Sequence, residues 1–443
     1  MNIIVVGGGA REHAICNAIY KSKEVKLFSV MSNLNPGIER ISEDVFLEKE
    51  TNIDLVVEYA KKNNIDLVIV GPEAPLEFGI VDKLNNAGIN ACSPTKAAAR
   101  IETDKEWMRN ILKKYNIRGQ LKCESFTNTQ KARKYIEESD FEIVIKPIGL
   151  TGGKGVKVSG DHFNGIEGAM EYVKDVIEHK IGGKSKVLIE EKAIGEEFTL
   201  QAFSDGTSIL PLPAVQDHKR LLPGDKGPNT GGMGSYSCHN GLLPFLSKSE
   251  YEEGAIILQN IVEALNKEGC SYIGPIYGQF MLTVDGPKII EINARFGDPE
   301  AMNVLPLLET DYVELCKAML DGNLSDKKLK LKQKSTVCKY VVPEGYGKKS
   351  MVGEKINVDE NGIRKSGSEL FYASVNKKND FVYTTSSRSL AVVGISSNLS
   401  NAEKICENAL SYVKGEHIFV RHDIGSEDLI KSRVDHMTNL RGM

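Results

Sequence analysis

The chain opens on Ile3–Val6, an unbroken apolar run that ends at Gly7, Gly8 and Gly9. A strand buried on both faces of a parallel sheet looks like this, because helices cover both sides and leave no polar positions. Lys26–Val30 and Leu67–Val70 repeat the pattern, and between them Ile53, Val56, Val57 and Ala60 recur at helical spacing. The alternation through residues 1–92 predicts a small doubly wound parallel sheet. Loops at the carboxyl ends of such strands commonly bind ligands, here Gly7–Arg11, Met31–Gly37 and Gly71–Leu76. A helix follows with Met108, Ile111, Leu112 and Tyr115 on one face. Next comes a compact unit: strand Glu142–Lys146, a glycine loop, strand Val156–Val158, a helix over Ile166–His179, and strand Val187–Glu191. From Phe198 to Asn293 strand patterns resume around one helix, begun by the capping box of Ser247 and Glu250 and stopped by Gly269. Beyond about residue 335 strands mix with a helix begun by Ser400 and Glu403. The fold class is α/β and α+β, in several domains, without an internal repeat.

Length agrees with this division, since 443 residues exceed one ordinary core at about 100–200 residues per domain. Charged residues at 26% and hydrophobic ones at 41% describe a folded enzyme rather than a disordered chain. A formal net charge of -4 gives no broad pull toward nucleic acid or anionic membrane, so neither is expected as a partner. Cys16, Cys92, Cys123, Cys238, Cys270, Cys316, Cys338 and Cys406 lie far apart, with no Cys-x-x-Cys pair to suggest zinc or dithiol redox chemistry. The start lacks a secretory signal's basic flank and cleavable apolar core, and no apolar run approaches the ~18 residues of a membrane span. Reduced thiols in the cytoplasm are expected.

Four segments carry candidate chemistry. Gly7-Gly8-Gly9-Ala10-Arg11-Glu12-His13 has Glu12 where a dinucleotide fingerprint needs glycine, and Ser32 and Asn33 where it needs an acid. A nicotinamide site is therefore disfavoured. The amides could hold a smaller phosphate with Arg11 assisting, or form a tight turn alone; His13 reads as structural. Lys146 ends a strand just before Gly149-Leu150-Thr151-Gly152-Gly153-Lys154-Gly155, a glycine-rich hairpin rather than a Walker A loop. Its amides and Lys154 could fold over polyphosphate; a merely flexible hairpin is the alternative. Val187–Ala193, with Glu190, Glu191 and then Glu197, suits an adenosine pocket, although strand ends rich in acids are often only solvated.

The fourth segment is a hairpin, with Phe280–Val284 and Lys288–Ile292 flanking Asp285-Gly286-Pro287. A three-residue loop sets Met281 opposite Glu291 and Gln279 opposite Asn293. Period-two alternation then places Gln279, Glu291 and Asn293 on one side of the sheet. Three oxygen-bearing side chains there suit magnesium, which keeps waters and nucleotide phosphates in its other positions. A two-residue loop would break this register.

Taken in order, several stretches resemble the phosphoribosylamine–glycine ligase (glycinamide ribonucleotide synthetase) family of the ATP-grasp superfamily. They are Gly9–Ala14, Asn35-Pro36-Gly37, Gly71–Leu76, Gly149–Val156, Gln216–Arg220, Gly227–Gly234 and Arg295–Glu300, with Arg421–Gly425 as a C-terminal element. Lys146-Pro147-Ile148-Gly149 stands where many members read Lys-Ala-Asp-Gly, and Gln279 where many carry an apolar residue; both look like the archaeal branch. The resemblance implies an ATP-grasp fold with an N-terminal Rossmann-like domain (1–104), a lid subdomain with its leading helix (105–195), a central catalytic subdomain (196–330) and a small mixed C-terminal domain (331–443). It implies ATP-dependent joining of glycine to 5-phosphoribosylamine through glycyl phosphate, with Mg2+ or Mn2+.

Carried over residue by residue, the resemblance gives ATP Lys105, Lys146, Gly152, Gly153, Lys154, Gly155, Glu190, Glu191, Ala193 and Glu197. The other substrates receive Gly9, Arg11, Glu12, Asn35, Gly37, Glu73, Pro75, Asp217, Lys219, Arg295, Gly297, Asp298 and Pro299. Lys146, Lys154, Arg295 and Asp217 are the catalytic set; Glu291 and Asn293 are the metal set, with Gln279 added from the hairpin register and not from the resemblance. Arg295 is expected to hold glycine's carboxylate by paired hydrogen bonds and Asp217 its ammonium. A monomer is the working expectation. The rivals are another ATP-grasp ligase, such as a biotin carboxylase or aminoimidazole ribonucleotide carboxylase, and a nucleotide-binding sensor without turnover.

Overall fold

The computed structural model describes residues 1–149, 155–379 and 381–442. The N-terminal sheet is wholly parallel, in the order β3-β2-β1-β4-β5, from β1 Asn2–Val6, β2 Lys26–Met31, β3 Asp44–Leu47, β4 Leu67–Val70 and β5 Asn90–Ala91. The apolar runs have a direct cause. Ile3, Val5, Leu67 and Ile69 enter one core, while Ile4, Val6, Val68 and Val70 enter another on the opposite face.

Strands β6 (Cys123–Phe126), β7 (Ile143–Pro147), β8 (Lys157–Val158) and β9 (Val187–Glu191) form an antiparallel sheet in the order β6-β9-β7-β8. Helices Thr129–Glu138 and Gly165–His179 close over it, and Ala132, Ile145, Val173 and Ile189 belong to its separate core.

A four-stranded sheet runs β11-β10-β16-β17, from β10 (Glu196–Asp205), β11 (Ile209–Pro211), β16 (Ile273–Thr283) and β17 (Gly286–Asn293). Between them in sequence lie β12 (Gln216–Asp217), the ribbon of β13 (Arg220–Leu222) and β14 (Lys226–Asn229), and β15 (Gly234–Ser237). β12 and β15 continue into β18 (Ser335–Pro343), Leu390–Ser396 and Ser368–Tyr372, with Ile418–Val420 beside β18. This sheet therefore draws strands from both sides of residue 330. The capping box of Ser247 and Glu250 starts helix Lys248–Lys267 as expected. Helix Leu399–Leu410 differs: Asn398 caps it, accepting from the Asn401 N–H at 2.9 Å, whereas Ser400 donates to Glu427.

The β16–β17 hairpin also departs from expectation. Its turn is the two residues Val284 and Asp285, since Thr283 pairs with Gly286, whose φ of +94 an L side chain rarely adopts. A uniform ladder from that turn would put Gln279 and Glu291 on opposite faces. Ile290 is instead extruded as a bulge, so Gln279 pairs with Glu291 and Tyr277 with Asn293. The partners differ from those expected, but the bulge restores the shared face. Among the described residues no helix is long and apolar enough to cross a membrane.

Candidate active site

Glu291 is held by three cations. Burial alone would raise its carboxyl, but Lys219, Lys146 and Lys105 outweigh that and hold it below the usual carboxylate range. Gln279 donates Nε2 to Glu197 Oε2 at 2.5 Å, and its Oε1 is buried without a hydrogen-bond partner among the described residues. A buried acceptor left unpaired is costly, and this one belongs to the residue opposite an ionised carboxylate. With Asn293 on the same face, the donor set is hard, oxygen-rich and one acceptor short of satisfaction. It fits a divalent cation.

The bulge also presents carbonyls. Arg109 donates to Ile289 O at 2.9 Å and Ile290 O at 3.1 Å, and Lys146 Nζ to Ile290 O at 3.2 Å. Both cations converge on Glu190, with Arg109 Nε at 2.5 Å and Lys146 Nζ at 2.6 Å. Burial pushes Glu190 up, yet the charges of Arg109 and Lys146 prevail and hold it at about 2. Glu190, one of the carboxylates expected in the adenosine pocket, is thus a buried counter-ion of Arg109 and Lys146. The amides of Glu191 and Lys192 are likewise taken, by the carbonyls of Lys122 and Glu142, which leaves half-buried Ala193 next along the segment.

Lys105 Nζ donates to Gly149 O at 2.9 Å, joining helix Lys105–Lys114 to the start of the glycine hairpin; burial lowers its pKa. Gly155 accepts from the Tyr172 hydroxyl at 2.7 Å. Gly152, Gly153 and Lys154 lie outside the described residues.

Beyond the metal face, Lys219 Nζ stands 3.5 Å from Glu197 and 3.9 Å from Asp217. Burial opposes its charge, but Glu197, Asp217, Glu291 and Glu300 together raise its pKa. Asp217 is pushed up to about 7, by burial first and then by Glu300 and Glu197 against the pull of Lys219. Its Oδ1 is buried without a partner among the described residues. Arg295 donates Nε to Glu73 at 3.1 Å, NH1 to the Phe296 carbonyl, and NH2 to Asn293, with Glu102 3.3 Å from NH2. Its fork is taken by the protein, so the paired grip expected for glycine's carboxylate is not free here; one NH1 hydrogen remains. Arg295 holds Glu73 down at about 2, whereas burial pushes Glu102 up to about 7.

The N-terminal loops are largely self-satisfied. Glu12 accepts from Gly9 N–H at 2.8 Å and from Arg11 Nε at 2.7 Å, filling the place of a small anion at that amide. A Cβ at Gly7 or Gly71 would collide with its side chain. Arg11 also reaches the Phe296 carbonyl. Asn35 is wholly buried; its oxygen caps Gly37 and Ile38, and its nitrogen donates to Gly8 and Tyr372 carbonyls. All four of its hydrogen bonds are used, so its side chain builds the site rather than reading a ligand. Gly37 lies against His13, which accepts from the Tyr372 N–H and is lowered to about 3 by burial. Pro75 is buried in the short helix Glu73–Glu77. Gly297 donates to Gln201 and leaves no space for a Cβ beside Glu300; Asp298 and Pro299 complete that turn.

Arg109, Glu102, Gln201, Glu300 and Arg388 were given no role from the sequence. Arg109 had a signal, a charge beside the apolar stripe of Met108, Ile111 and Leu112, and Glu300 closes the Arg295–Glu300 motif. The other three had none.

Family models described as phosphoribosylglycinamide synthetase match the chain in three parts: the N domain over residues 1–102, the ATP-grasp (A) domain over 103–301 and the C domain over 336–427. The chain is 50% identical over 441 residues to the phosphoribosylamine–glycine ligase of Methanothermobacter thermautotrophicus, covering 100% of both. It is 50% identical over 445 residues to that of Methanocaldococcus jannaschii, again covering 100% of both. Among solved structures it resembles phosphoribosylamine–glycine ligase from Thermotoga maritima, with a TM-score of 0.81 and 27% identity over 96% of this chain and 100% of that one. The biotin carboxylase β,γ-ATP complex from Campylobacter jejuni shares the fold, with a TM-score of 0.75 at 12% identity over 99% and 98% of the two chains.

Proposed function

The chain belongs to the phosphoribosylglycinamide synthetase family, and from this premise we propose how its residues carry the reaction. It is an ATP-dependent ligase of purine biosynthesis that joins glycine to 5-phosphoribosylamine, giving glycinamide ribonucleotide, ADP and phosphate. It has an ATP-grasp fold and uses ATP with a divalent metal.

Phosphoryl transfer depends on positioning and charge neutralisation more than on covalent chemistry. Lys105, bonded to Gly149 at the start of the glycine hairpin, and Lys146, in the strand that leads into it, supply cations on the phosphate side, and Lys154 adds a third from its place in the sequence. Gln279, Glu291 and Asn293 would hold Mg2+ or Mn2+, which when bound supplies Lewis-acid stabilisation of phosphoryl oxygens. Ala193 offers backbone groups to the adenine edge.

Glycine lies between Arg295 and Asp217. The unpartnered Oδ1 of Asp217 takes the ammonium, and the remaining NH1 hydrogen of Arg295 takes the carboxylate. A glycine carboxylate oxygen attacks the terminal phosphorus of ATP; the bond to the ADP oxygen breaks and glycyl phosphate forms. The sugar amine then attacks the glycyl carbonyl, loses a proton and expels phosphate. Lys219, held among four carboxylates, stands beside this exchange as a fixed cation. The sugar amine meets the turn of Gly297, Asp298 and Pro299 and the loops around Gly9, Arg11 and Glu73. The enzyme acts as a monomer in the cytoplasm, where its eight free cysteines stay reduced.

One observation carries this reading: the ionised Glu291 and unsatisfied Gln279 share a face, and Lys219, which acts on Glu291, stands 3.9 Å from Asp217, whose other oxygen has no partner among the described residues. The test is ADP release with glycine and freshly generated phosphoribosylamine, each omitted in turn. Turnover with bicarbonate in place of glycine would favour the carboxylase alternative. Glycine labelled with 18O in its carboxylate should pass label to phosphate; unlabelled phosphate would exclude glycyl phosphate.

A further inference from the structure

Arg388 reaches the site from the C-terminal region, in the loop between Phe381–Thr384 and Leu390–Ser396. NH1 donates to the carbonyls of Gly231 at 2.6 Å, Gly232 at 3.2 Å and Asp298 at 2.9 Å. NH2 lies 3.1 Å from Asp298 Oδ2, and the guanidinium sits 4.4 Å above the Tyr340 ring. The Tyr340 hydroxyl donates to the other oxygen, Asp298 Oδ1. One cation thus ties two loops together and, with Tyr340, orients both carboxylate oxygens.

The place of that carboxylate matters. A Cβ at Gly9 would lie 3.9 Å from Asp298 Oδ2, and one at Gly232 would lie 2.8 Å from Pro299. Asp298 therefore faces the glycine loop of the N-terminal sheet. Its unpaired lone pairs suit the hydroxyls of a sugar. A carboxylate held by a bidentate-capable guanidinium keeps its orientation through turnover, which an ammonium with one point of charge cannot enforce.

Building on the ligase reading above, we infer that Arg388 is a positioning residue of the sugar-amine subsite, aligning Asp298 and the Gly231–Gly232 turn against the Gly9 loop. It touches no reacting atom. Its effect therefore appears in recognition of one substrate, whereas a purely structural role would move all three.

The experiment measures initial rates against phosphoribosylamine, glycine and ATP for the native enzyme, Arg388→Gln, Arg388→Lys and Tyr340→Phe. Arg388→Gln should raise the apparent KM for phosphoribosylamine about tenfold or more, leaving those for glycine and ATP within about twofold. Arg388→Lys should recover part of that loss, and Tyr340→Phe should shift the same constant by a smaller factor. If Arg388→Gln does not fold, Tyr340→Phe and Arg388→Lys carry the test. Unchanged sugar-amine dependence in the folded variants, or an equal shift for all three substrates, overturns the inference. Absence of glycine-dependent ADP release in the native enzyme would instead overturn the ligase reading.

Discussion

Gln279 stands directly opposite Glu291 across the β16–β17 ladder because Ile290 is extruded between two registers. The same bulge turns the Ile289 and Ile290 carbonyls toward Arg109 and Lys146. One irregularity therefore sets both a metal-binding face and the anchorage of the phosphate-side lysine. Glu291→Gln should reduce ADP formation by about a thousandfold or more, with thermal stability little changed. Gln279→Ala, which removes a neutral donor, should cost about tenfold. Steady-state rates with a melting curve for each variant test this; near-native turnover in folded Glu291→Gln removes the assignment.

Asp217 predicts a pH dependence whose sign follows from its raised carboxyl, about 7 when folded against 3.8 unfolded. Between those values the native state holds a proton that the unfolded chain has lost. Its contribution to stability is full below the unfolded value and disappears as pH rises through about 7. Relative to Asp217→Asn, the native enzyme without substrates should lose melting temperature as pH rises from about 5 to about 8. Glu102 shifts in the same direction but is common to both proteins, so it cancels in the difference. Catalysis should run the other way: kcat/KM for glycine should fall as pH drops through about 7, because a protonated Asp217 cannot accept the ammonium so well. A pH-independent difference in melting temperature would contradict the burial of this carboxyl.

Arg109 and Glu190 are buried together at 2.5 Å, with side-chain exposures of 4% and 1%. Arg109→Met leaves Glu190 with Lys146 alone and frees two bulge carbonyls. A loss of about 3–5 kcal/mol is expected, since removing one partner strands a buried charge. Urea unfolding measures it; a loss below about 1 kcal/mol would mean that the pair is dispensable.

Gly37→Ala would place a methyl carbon 1.9 Å from His13 Cε1 in a closed site. Gly37 lies in helix Pro36–Ile41 without a positive φ, so the backbone itself would tolerate alanine. The expected cost of about 1–3 kcal/mol is overpacking. His13→Ala should relieve it, giving a favourable coupling of about 1 kcal/mol or more in a double-mutant cycle. Simple additivity would show that the imidazole is not the obstacle.

Periodicity made much of this protein legible in one dimension. The apolar run Ile3–Val6, the Ser247–Glu250 capping box and the pairing of Glu291 with Asn293 on one face each depend on residues a few positions apart, where backbone geometry fixes which side chains share a face. Gln279 joins that face through the bulge and not through the three-residue loop expected. The glycine motifs were equally local and carried the family resemblance. Tertiary packing decided the rest. The Ile290 bulge follows from how two strands meet, and no spacing within either strand specifies it. Arg109 finds Glu190 81 residues away, and Arg295 finds Glu73 222 residues away. Arg388 reaches Asp298 across 90 residues. A charged side chain looks the same in sequence whether it meets water or a buried carboxylate. Only the packed chain, by removing the water, decides which cations are committed to protein partners and which acceptors remain open for substrate.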